Sequence, residues 1–468
     1  MHTYDLSGGK LCDTLPAALR ADILSGALAP GERLPSKRRL AEHHGISINT
    51  VQNAYEQLIA EGYIVAKERR GYFVSDLPPA PLRAAPPTPP PAPPTPITPS
   101  IELDLVANAT DGSRFPFSLW ATLMRRTLAD EGERLLAPVP AAGAIALREA
   151  IADYLREGRG MSVTADQIVI GAGTEYLYHL LLQLLGRQRR YGLEDPGYSK
   201  IARIYHLNGV DFAPVTVGEE GVSSHELTDL GVEVLHISPN HHFPTGIVTP
   251  APRRRALLQW MSEGDRYIIE DDYDSEFRFT GRPIPPLFQM DEVGRVIYIN
   301  TFSKTIAPSM RISYMVLPLD LLPLYRQRLG FYACPVPAFE QYTLARFLRE
   351  GHFDRHLHRM RTFYRARRNG VIGVLEDSPF ARWITVKEAD AGLHFLVQIH
   401  TTRTDRELRD LFEKVGIRVA FLGDYRIGQD QNAPDTHTLV LNYSGLDPAQ
   451  LQAGIQRLWE SCKKQNKI

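Results

Sequence analysis

A proline-rich segment divides this 468-residue chain and limits what it can fold into. Residues 78–99 read PPAPLRAAPPTPPPAPPTPITP, and proline at this density removes amide donors and favours extended polyproline geometry. No packed domain can include such a stretch. At about 3.1 Å per residue, the segment would span roughly 70 Å as a semi-rigid spacer. We therefore predict a linker at 77–100 that follows an N-terminal domain at 1–76 and precedes a larger folded region.

Composition narrows the class of protein further. The formal net charge is −1, so any nucleic-acid partner must meet locally clustered cations. The three cysteines lie far apart and lack the spacing of metal ligands, which indicates a reduced, cytoplasmic protein without a metal site. The N-terminus does not have the pattern of a signal peptide, and no apolar run approaches the roughly 20 residues that span a bilayer. We expect a soluble protein of the cytoplasm.

The N-terminal domain has the pattern of a winged helix-turn-helix. The run LPSKRRLAEHHG contains the capping candidate Ser36, Gly45 is the turn glycine, and Ser47 caps the run INTVQNAYEQLIAEG. YIVAKERRGYFV then predicts two short strands about a basic turn. Apolar residues recur at helical spacing, at Leu15, Leu19, Ile23 and Leu24 in a first helix and at Val51, Ala54, Tyr55, Leu58 and Ile59 in the third.

The polar residues of this domain fall where such a fold meets DNA. The start of the recognition helix reaches base edges and phosphates, while the wing tip reaches the backbone. A charge run is usually only a solvated face, but this placement within a complete motif favours DNA binding. The predicted contacts are Ser36, Lys37 and Arg38 at the second helix, Ser47, Asn49, Thr50 and Gln52 at the third, and Arg69 and Arg70 at the wing tip.

After the linker, apolar strands alternate with helices. The strands IVIGAG, VEVLHIS, YIIEDD and VIYINTFS end in small or polar residues, which indicates a largely parallel sheet with a site at its carboxyl edge. From about Phe331 the pattern changes to charged helices and a last segment of strands and helices. We therefore predict a large α/β domain at 101–330 and a smaller α+β domain at 331–468.

The strand ends carry the groups that pyridoxal phosphate requires. Lys304, in TFSKTIAPSMR, offers an amine for an aldehyde, and Asp271, in IIEDDYDSEF, offers a carboxylate for a pyridinium nitrogen. Each residue alone could be a surface lysine, a core aromatic or a salt-bridge partner, so only the joint pattern favours a cofactor site. The other candidates are Gly173, Thr174, Thr301, Ser303 and Arg311 for the phosphate, Tyr198 for stacking, Tyr273 for the phenolic oxygen, and His242 in the loop HHFPTG.

These motifs resemble two known families. LPSKRRLAEHHGISINTVQNAYEQLIAEGYIV followed by RRGYFV resembles the GntR winged-helix signature, and EDPGY, HFPTG, EDDYDSEF and TFSKTIAPSMR resemble the fold type I aminotransferases. The two halves together are similar to the MocR group of GntR regulators along nearly the whole chain. The resemblance implies that Arg38 contacts phosphate or base, that Lys304 is the aldimine lysine, and that the protein forms a head-to-tail homodimer.

Three positions depart from the family's pattern. Ile48 stands where an arginine often follows the turn serine, so the DNA sequence that is read must differ there. His242 stands where glutamine is usual. Val440, in the strand TLVLNYS, stands where amino-acid-binding members tend to carry an arginine that clasps a carboxylate. Either Lys200 or Arg203 replaces that arginine, or the effector is an amine, or the cofactor is itself the signal.

The main hypothesis is a transcriptional regulator that senses pyridoxal phosphate, an amine or an amino acid through Lys304 and alters its DNA binding in response. Control of vitamin B6 supply is the favoured theme, followed by amino-acid or amine metabolism. The alternative is an aminotransferase with an appended DNA-binding domain, which turnover of an amino acid with a 2-oxo acid would favour. A pure DNA-binding protein with a vestigial second domain is the third hypothesis, and the complete set around Lys304 argues against it.

Overall fold

The computed structural model describes residues 3–4, 6, 11–78, 101–107, 110–279, 284–428 and 435–464. The chain divides into two compact units, Met1–Ile97 and Thr98–Ile468. Apart from residues 77 and 78, the predicted linker lies outside the described residues. In the part of the chain that is described, none of the helices has the length and apolar character needed to cross a membrane.

The N-terminal unit contains three helices and a two-stranded antiparallel sheet. Ser36 and Ser47 accept backbone N–H groups and cap the second and third helices, and Gly45 ends the second helix with a φ of 64°. The helices are α1 (Leu11–Ser25), α2 (Lys37–His44) and α3 (Ile48–Ala60), and the strands are β1 (Ile64–Lys67) and β2 (Gly71–Val74).

The apolar faces of these helices form the core of the unit, with two corrections to the predicted faces. Leu24 is 56% exposed and Ile59 is 36% exposed. Each follows directly after a buried residue, Ile23 or Leu58, and neighbouring positions on a helix point about 100° apart. In these two helices the buried stripe ends at Ile23 and Leu58, and the residue that follows each of them points towards solvent.

The larger unit is built on an eight-stranded sheet with the order β4-β11-β10-β9-β8-β5-β6-β7. Four neighbouring pairs in its centre are parallel, while β11 and β7 run antiparallel to their neighbours. The strands of this unit are β3 (Leu103–Asp104), β4 (Ile168–Gly171), β5 (Tyr191–Asp195), β6 (Phe212–Gly218), β7 (Gly221–Val222), β8 (Val234–Ile237), β9 (Tyr267–Asp271), β10 (Val296–Thr301), β11 (Ser313–Val316), β12 (Ile384–Lys387), β13 (His394–Ile399), β14 (Ile417–Arg418) and β15 (Thr438–Asn442).

Helices enclose this sheet, so its central strands are buried along their whole length. A second sheet, β12-β13-β15, is antiparallel and forms the core of the C-terminal part with the helices around it. The helices are α4 (Phe117–Glu131), α5 (Ile145–Arg159), α6 (Thr174–Leu185), α7 (Ser199–Leu207), α8 (Ser224–Asp229), α9 (Ala251–Ser262), α10 (Leu287–Met290), α11 (Leu322–Leu329), α12 (Ala338–Arg349), α13 (His352–Glu376), α14 (Asp405–Glu413) and α15 (Pro448–Lys464).

Candidate functional site

A pocket of about 500 Å³ lies at the carboxyl ends of the parallel strands. The last residues of β9 and β10, Asp271 and Thr301, contribute to its wall, and the first residue of α6, Thr174, joins them after the turn that follows β4. Parallel strands bring their carboxyl ends to one edge, so residues distant in sequence meet there. The pocket brings together most of the predicted cofactor residues, namely Thr174, Tyr198, Asp271, Tyr273, Thr301, Ser303, Lys304 and Arg311.

Lys304 follows β10 and offers its amine to this pocket. Burial lowers the pKa of the Lys304 amine to about 8, and the negative charge of Asp274 opposes that shift. A larger share of the amine is therefore neutral near physiological pH than in an exposed lysine. Because the neutral amine is the nucleophile, this environment suits condensation with an aldehyde.

Asp271 is buried and has two different carboxylate oxygens. Its Oδ2 accepts a hydrogen bond from the hydroxyl of Tyr178 and lies 3.7 Å from Nε2 of His236. Its Oδ1 is buried and has no hydrogen-bond partner within the described residues. A buried acceptor without a donor costs about 1–3 kcal/mol, and a protonated pyridinium nitrogen is a donor that would satisfy it. The residues present therefore fit the ring of pyridoxal phosphate.

The hydroxyl of Tyr273 contacts a hydrogen-bonded pair of side chains, His241 and Asp274. Its hydroxyl oxygen lies 3.2 Å from Nδ1 of His241, and the same Nδ1 lies 3.0 Å from both oxygens of Asp274. A ring nitrogen that faces a carboxylate carries the proton and donates it. Because Nδ1 carries the proton that it donates to Asp274, it cannot accept from Tyr273, and the Tyr273 hydroxyl keeps its own proton for a ligand oxygen. Burial, reinforced by the charge of Asp274, raises the pKa of Tyr273 and keeps the phenol protonated.

The phosphate candidates form a cradle of amides, hydroxyls and one guanidinium. Gly173 has a φ of 92°, and a Cβ there would lie 2.3 Å from Nη2 of Arg311. Arg311 donates to the carbonyl of Ala172 at 3.2 Å, and Ser303 N donates to Thr301 Oγ1 at 3.1 Å. Together with the N-terminus of α6, these groups suit a dianion.

Tyr198 and His242 differ in their access to the pocket. Tyr198 lines it, is 45% exposed, and packs edge-on against Phe243 at a centroid distance of 5.9 Å. His242 is outside the lining: its Nδ1 lies 2.7 Å from Thr245 Oγ1 and its Nε2 lies 3.5 Å from Glu194. Burial lowers the pKa of His242 to about 3 and raises the pKa of Glu194 to about 8. The His242 imidazole and the Glu194 carboxyl are therefore both neutral near physiological pH. The contact of His242 with a cofactor stays a prediction.

The structure adds pocket residues that the sequence had not singled out, among them Tyr178, Glu194, His236 and Asn442. Glu194, His236 and Asn442 stand within the segments EDPGY, VEVLHIS and TLVLNYS, but none of the three was predicted as a site residue. Tyr178 lies on the inner face of α6, and no local pattern distinguishes it from a core aromatic. Its contact with Asp271 depends on how α6 packs on the sheet.

The cations proposed to replace the missing arginine are separated by the fold. Lys200 lines the pocket and forms an ion pair with Glu175, which also lies 3.4 Å from Arg311. Arg203 does not line the pocket. Val440 is buried in β15 opposite Leu396.

Three potential metal ligands lie close together beside the pocket. Donor atoms of His241, Asp274 and His394 all lie within 4.8 Å of one another, and all three side chains are buried. The His241–Asp274 hydrogen bond and the 3.2 Å contact of His394 Nε2 with the Pro244 carbonyl already involve these groups. We assign them to support of Tyr273 and of the HFPTG loop.

All predicted DNA contacts lie at the two helix starts and the wing tip of the N-terminal unit. The hydroxyls of Ser36 and Ser47 accept the Arg39 and Thr50 amides at 3.3 and 3.1 Å and so act as caps. The wing tip is the turn between β1 and β2, where Arg69 has a φ of 56°. Lys37 donates to Gln52 at 3.3 Å and Arg38 pairs with Glu42 at 3.4 Å, while Asn49, Thr50, Arg69 and Arg70 complete the set.

Two family profiles match this chain. "Bacterial regulatory proteins, gntR family" matches residues 11–74, and "Aminotransferase class I and II" matches residues 100–458. The probable rhizopine catabolism regulatory protein MocR of Rhizobium meliloti is 32% identical over 454 residues, which cover 94% of this chain and 91% of MocR. The HTH-type pyridoxine biosynthesis transcriptional regulator PdxR of Corynebacterium glutamicum is 32% identical over 380 residues, which cover 81% of each chain.

Solved structures show the same fold for the larger unit. The kynurenine aminotransferase of Pyrococcus horikoshii superposes with a TM-score of 0.69 at 23% identity, covering 80% of this chain and 93% of that enzyme. At this identity the similarity shows the fold alone. The predicted fold class, a winged helix-turn-helix followed by an aminotransferase-like domain, is confirmed.

Proposed function

Because this chain belongs to the MocR-type HTH transcriptional regulators, which join a GntR family domain to an aminotransferase class I and II domain, we propose that pyridoxal phosphate bound at Lys304 controls its DNA binding. The observation that carries the cofactor proposal is the orphaned Oδ1 of Asp271, which lies in the same pocket as Lys304. A buried carboxylate oxygen without a donor suits the pyridinium of this cofactor better than it suits an empty core.

Each pocket residue then has a distinct task. When bound, the cofactor supplies an aldehyde that reacts with amines and a ring that withdraws electrons. Lys304 would offer a partly neutral amine, Asp271 would accept a hydrogen bond from the protonated ring nitrogen, and Tyr273 would donate to the phenolic oxygen. Gly173, Thr174, Thr301, Ser303 and Arg311 would hold the phosphate, and Tyr198 would pack on the ring.

DNA binding would rest on the nine polar residues of the N-terminal unit. Those at the start of α3 are placed to reach base edges, and the cations of α2 and the wing are placed to reach phosphates. Phosphate contacts make affinity depend steeply on salt. Binding to DNA would place the protein in the cytoplasm.

Regulation would require two arrangements of the protein that a ligand prefers unequally. We propose a head-to-tail homodimer as the unit that changes arrangement. Large apolar side chains exposed on the larger unit support association between copies: Phe117 is 69% exposed, Leu136 78% and Phe331 76%. Amines, amino acids and the cofactor itself are the candidate signals.

The test measures binding of the purified protein to its own upstream DNA at fixed salt, with and without pyridoxal phosphate. Wild type is compared with Lys304→Ala and with Lys387→Ala, which removes an exposed lysine outside the pocket. We expect added cofactor to change the DNA affinity of wild type and Lys387→Ala and to leave Lys304→Ala unaffected.

Other outcomes separate the competing hypotheses. Specific DNA binding that ignores the cofactor would shift the signal to a separate amine or amino acid. Absence of specific binding together with turnover of an amino acid and a 2-oxo acid would contradict the regulator and support an enzyme.

A further inference from the structure

Asn442, at the end of β15, is a buried polar residue in the wall of the Lys304 pocket. The whole residue is 1% exposed. Its Nδ2 donates to the carbonyl of Val106 at 2.9 Å, and its Oδ1 has no hydrogen-bond partner within the described residues. Asp271 and Asn442 both line the pocket, and each has one buried acceptor oxygen without a hydrogen-bond partner in the described part of the chain.

The orientation of the Asn442 amide follows from its neighbour. A flipped amide would place Oδ1 against the carbonyl oxygen of Val106, and two acceptors would then face each other. The backbone N–H of Asn442 is also committed, since it donates to the Leu105 carbonyl at 3.0 Å. Asn442 can therefore offer a ligand only an acceptor.

The charges around the pocket disfavour a carboxylate near Asn442. The cations of the pocket lining are Lys200, Lys304 and Arg311, and Glu175 pairs with both Lys200 and Arg311. His394 lies opposite Asn442 in the sheet and is buried. Strand alternation puts Val440 on the same face of β15 as Asn442.

Several apolar side chains also line the pocket. Leu193, Ile201, Phe243 and Ile427 line it, together with Tyr425. A carboxylate here would meet an orphaned oxygen and apolar carbon without an uncompensated cation, whereas a hydroxyl or ammonium group would satisfy Asn442.

We propose that the effector is a primary amine that carries a second hydrogen-bond donor and no carboxylate, and that Asn442 Oδ1 accepts from that donor. This inference rests on the proposed function, because the first amine is recognised through the cofactor at Lys304. The class comprises amino alcohols and diamines. Asn442 acts as a specificity residue that separates them from simple alkylamines and from amino acids.

The experiment titrates the cofactor-loaded full chain with matched ligands and follows the visible absorbance of the bound cofactor. Ethanolamine is compared with propylamine, which replaces the hydroxyl by a methyl group, and with serine, which adds a carboxylate. Longer amino alcohols and diamines are compared with alkylamines of equal length. In the best-fitting pair we expect the second donor to tighten binding roughly threefold to tenfold, the value of one net hydrogen bond. The carboxylated counterpart should bind more weakly than its amine.

Two substitutions locate the effect. Asn442→Leu keeps the approximate size and removes the acceptor, so the preference for a second donor should disappear. Asn442→Asp places a carboxylate there and should favour diamines over amino alcohols. Asn369→Leu, at an exposed asparagine of α13, is the matched control and should keep the wild-type ranking.

The outcomes are distinguishable from failure of the proposed function. If wild type gains no visible absorbance with pyridoxal phosphate, the cofactor proposal itself fails. If the loaded protein binds an alkylamine as tightly as the amino alcohol or diamine of equal length, the effector class is wrong. The same holds if it binds an amino acid as tightly as the corresponding amine without the carboxylate. If the ranking survives in Asn442→Leu, or Asn442→Asp leaves it unchanged, another residue recognises the donor. The wild-type ranking decides the ligand class even if a variant does not fold.

Discussion

The proposed DNA surface and the proposed cofactor pocket both use polar side chains, but these differ in burial and in hydrogen bonding. On the N-terminal unit, polar groups are exposed or half-buried and pair with one another, as Lys37 does with Gln52 and Arg38 with Glu42. In the pocket, Asp271 and Asn442 are buried and each keeps one oxygen without a donor. A surface group gives up hydrogen bonds to water and weak ion pairs when it binds a partner, and the change in free energy is small. A buried acceptor without a donor has a larger free-energy cost, which a ligand that donates to it removes.

This contrast predicts where substitutions act most strongly. Changes in the pocket should alter ligand affinity by large factors and depend on pH. Changes on the DNA surface should be smaller, and salt should modulate them.

The largest effect is expected for Asp271→Asn. Loss of the negative charge beside the ring nitrogen should weaken pyridoxal phosphate binding roughly tenfold to hundredfold, the range for a hydrogen bond to a charged group. Equilibrium titration of absorbance measures it, with Asp229→Asn at an exposed aspartate as control. Equal affinity in the two variants would remove Asp271 from the site.

Cofactor loading should depend on pH through Lys304, whose pKa is lowered to about 8 by burial. The neutral amine fraction falls about tenfold for each pH unit below that pKa, so the loading rate should fall with it and level off above pH 8. The shifted pKa of Lys304 also makes the free energy of unfolding rise with pH. Because the folded pKa lies below the unfolded one, protonated Lys304 destabilises the fold below pH 8, and this penalty is lost between about pH 8 and 10.5. Stopped-flow loading from about two pH units below the pKa of about 8 to one unit above it tests the first part, and a rate that does not change with pH below pH 8 would contradict it.

A smaller effect is expected for Arg38→Ala and Arg70→Ala on the DNA surface. Each should weaken binding to all DNA sequences and reduce the slope of log affinity against log salt by about 1, the value for one lost phosphate contact. Arg187→Ala, at an exposed arginine of the larger unit, should leave the slope unchanged. An unaltered slope in Arg38→Ala would indicate that Arg38 does not contact a phosphate.

The smallest effect is expected for Ser47→Ala, because its hydroxyl caps α3 at 3.1 Å from Thr50 N. Loss of the cap should reduce the free energy of unfolding of the N-terminal unit by about 1 kcal/mol. Thermal unfolding compares it with Ser75→Ala, which follows β2 and caps no helix. A large loss of DNA affinity with unchanged stability would instead make Ser47 a direct contact.

Much of the fold was predictable because its signals are local. The capping serines, the turn glycine and the helical spacing identified α2 and α3, and apolar strands ending in functional residues identified the sheet. The errors at Leu24 and Ile59 came from extending an apolar face by one residue, which rotates it away from the core. Most of the motif residues that line the pocket were predictable because they stand at or near strand ends.

The amino-acid sequence by itself determined which chemistry could be present: one lysine, one carboxylate and a glycine-threonine turn at the ends of parallel strands, after a winged helix-turn-helix. Only the tertiary structure decided which oxygens lack donors among the described residues. It also decided that Lys200 forms an ion pair with Glu175 and that Asn442 lines the pocket. The physical reason is that hydrogen-bond satisfaction and burial depend on neighbours brought from distant parts of the chain, such as Val106 beside Asn442. Local sequence patterns do not record such neighbours.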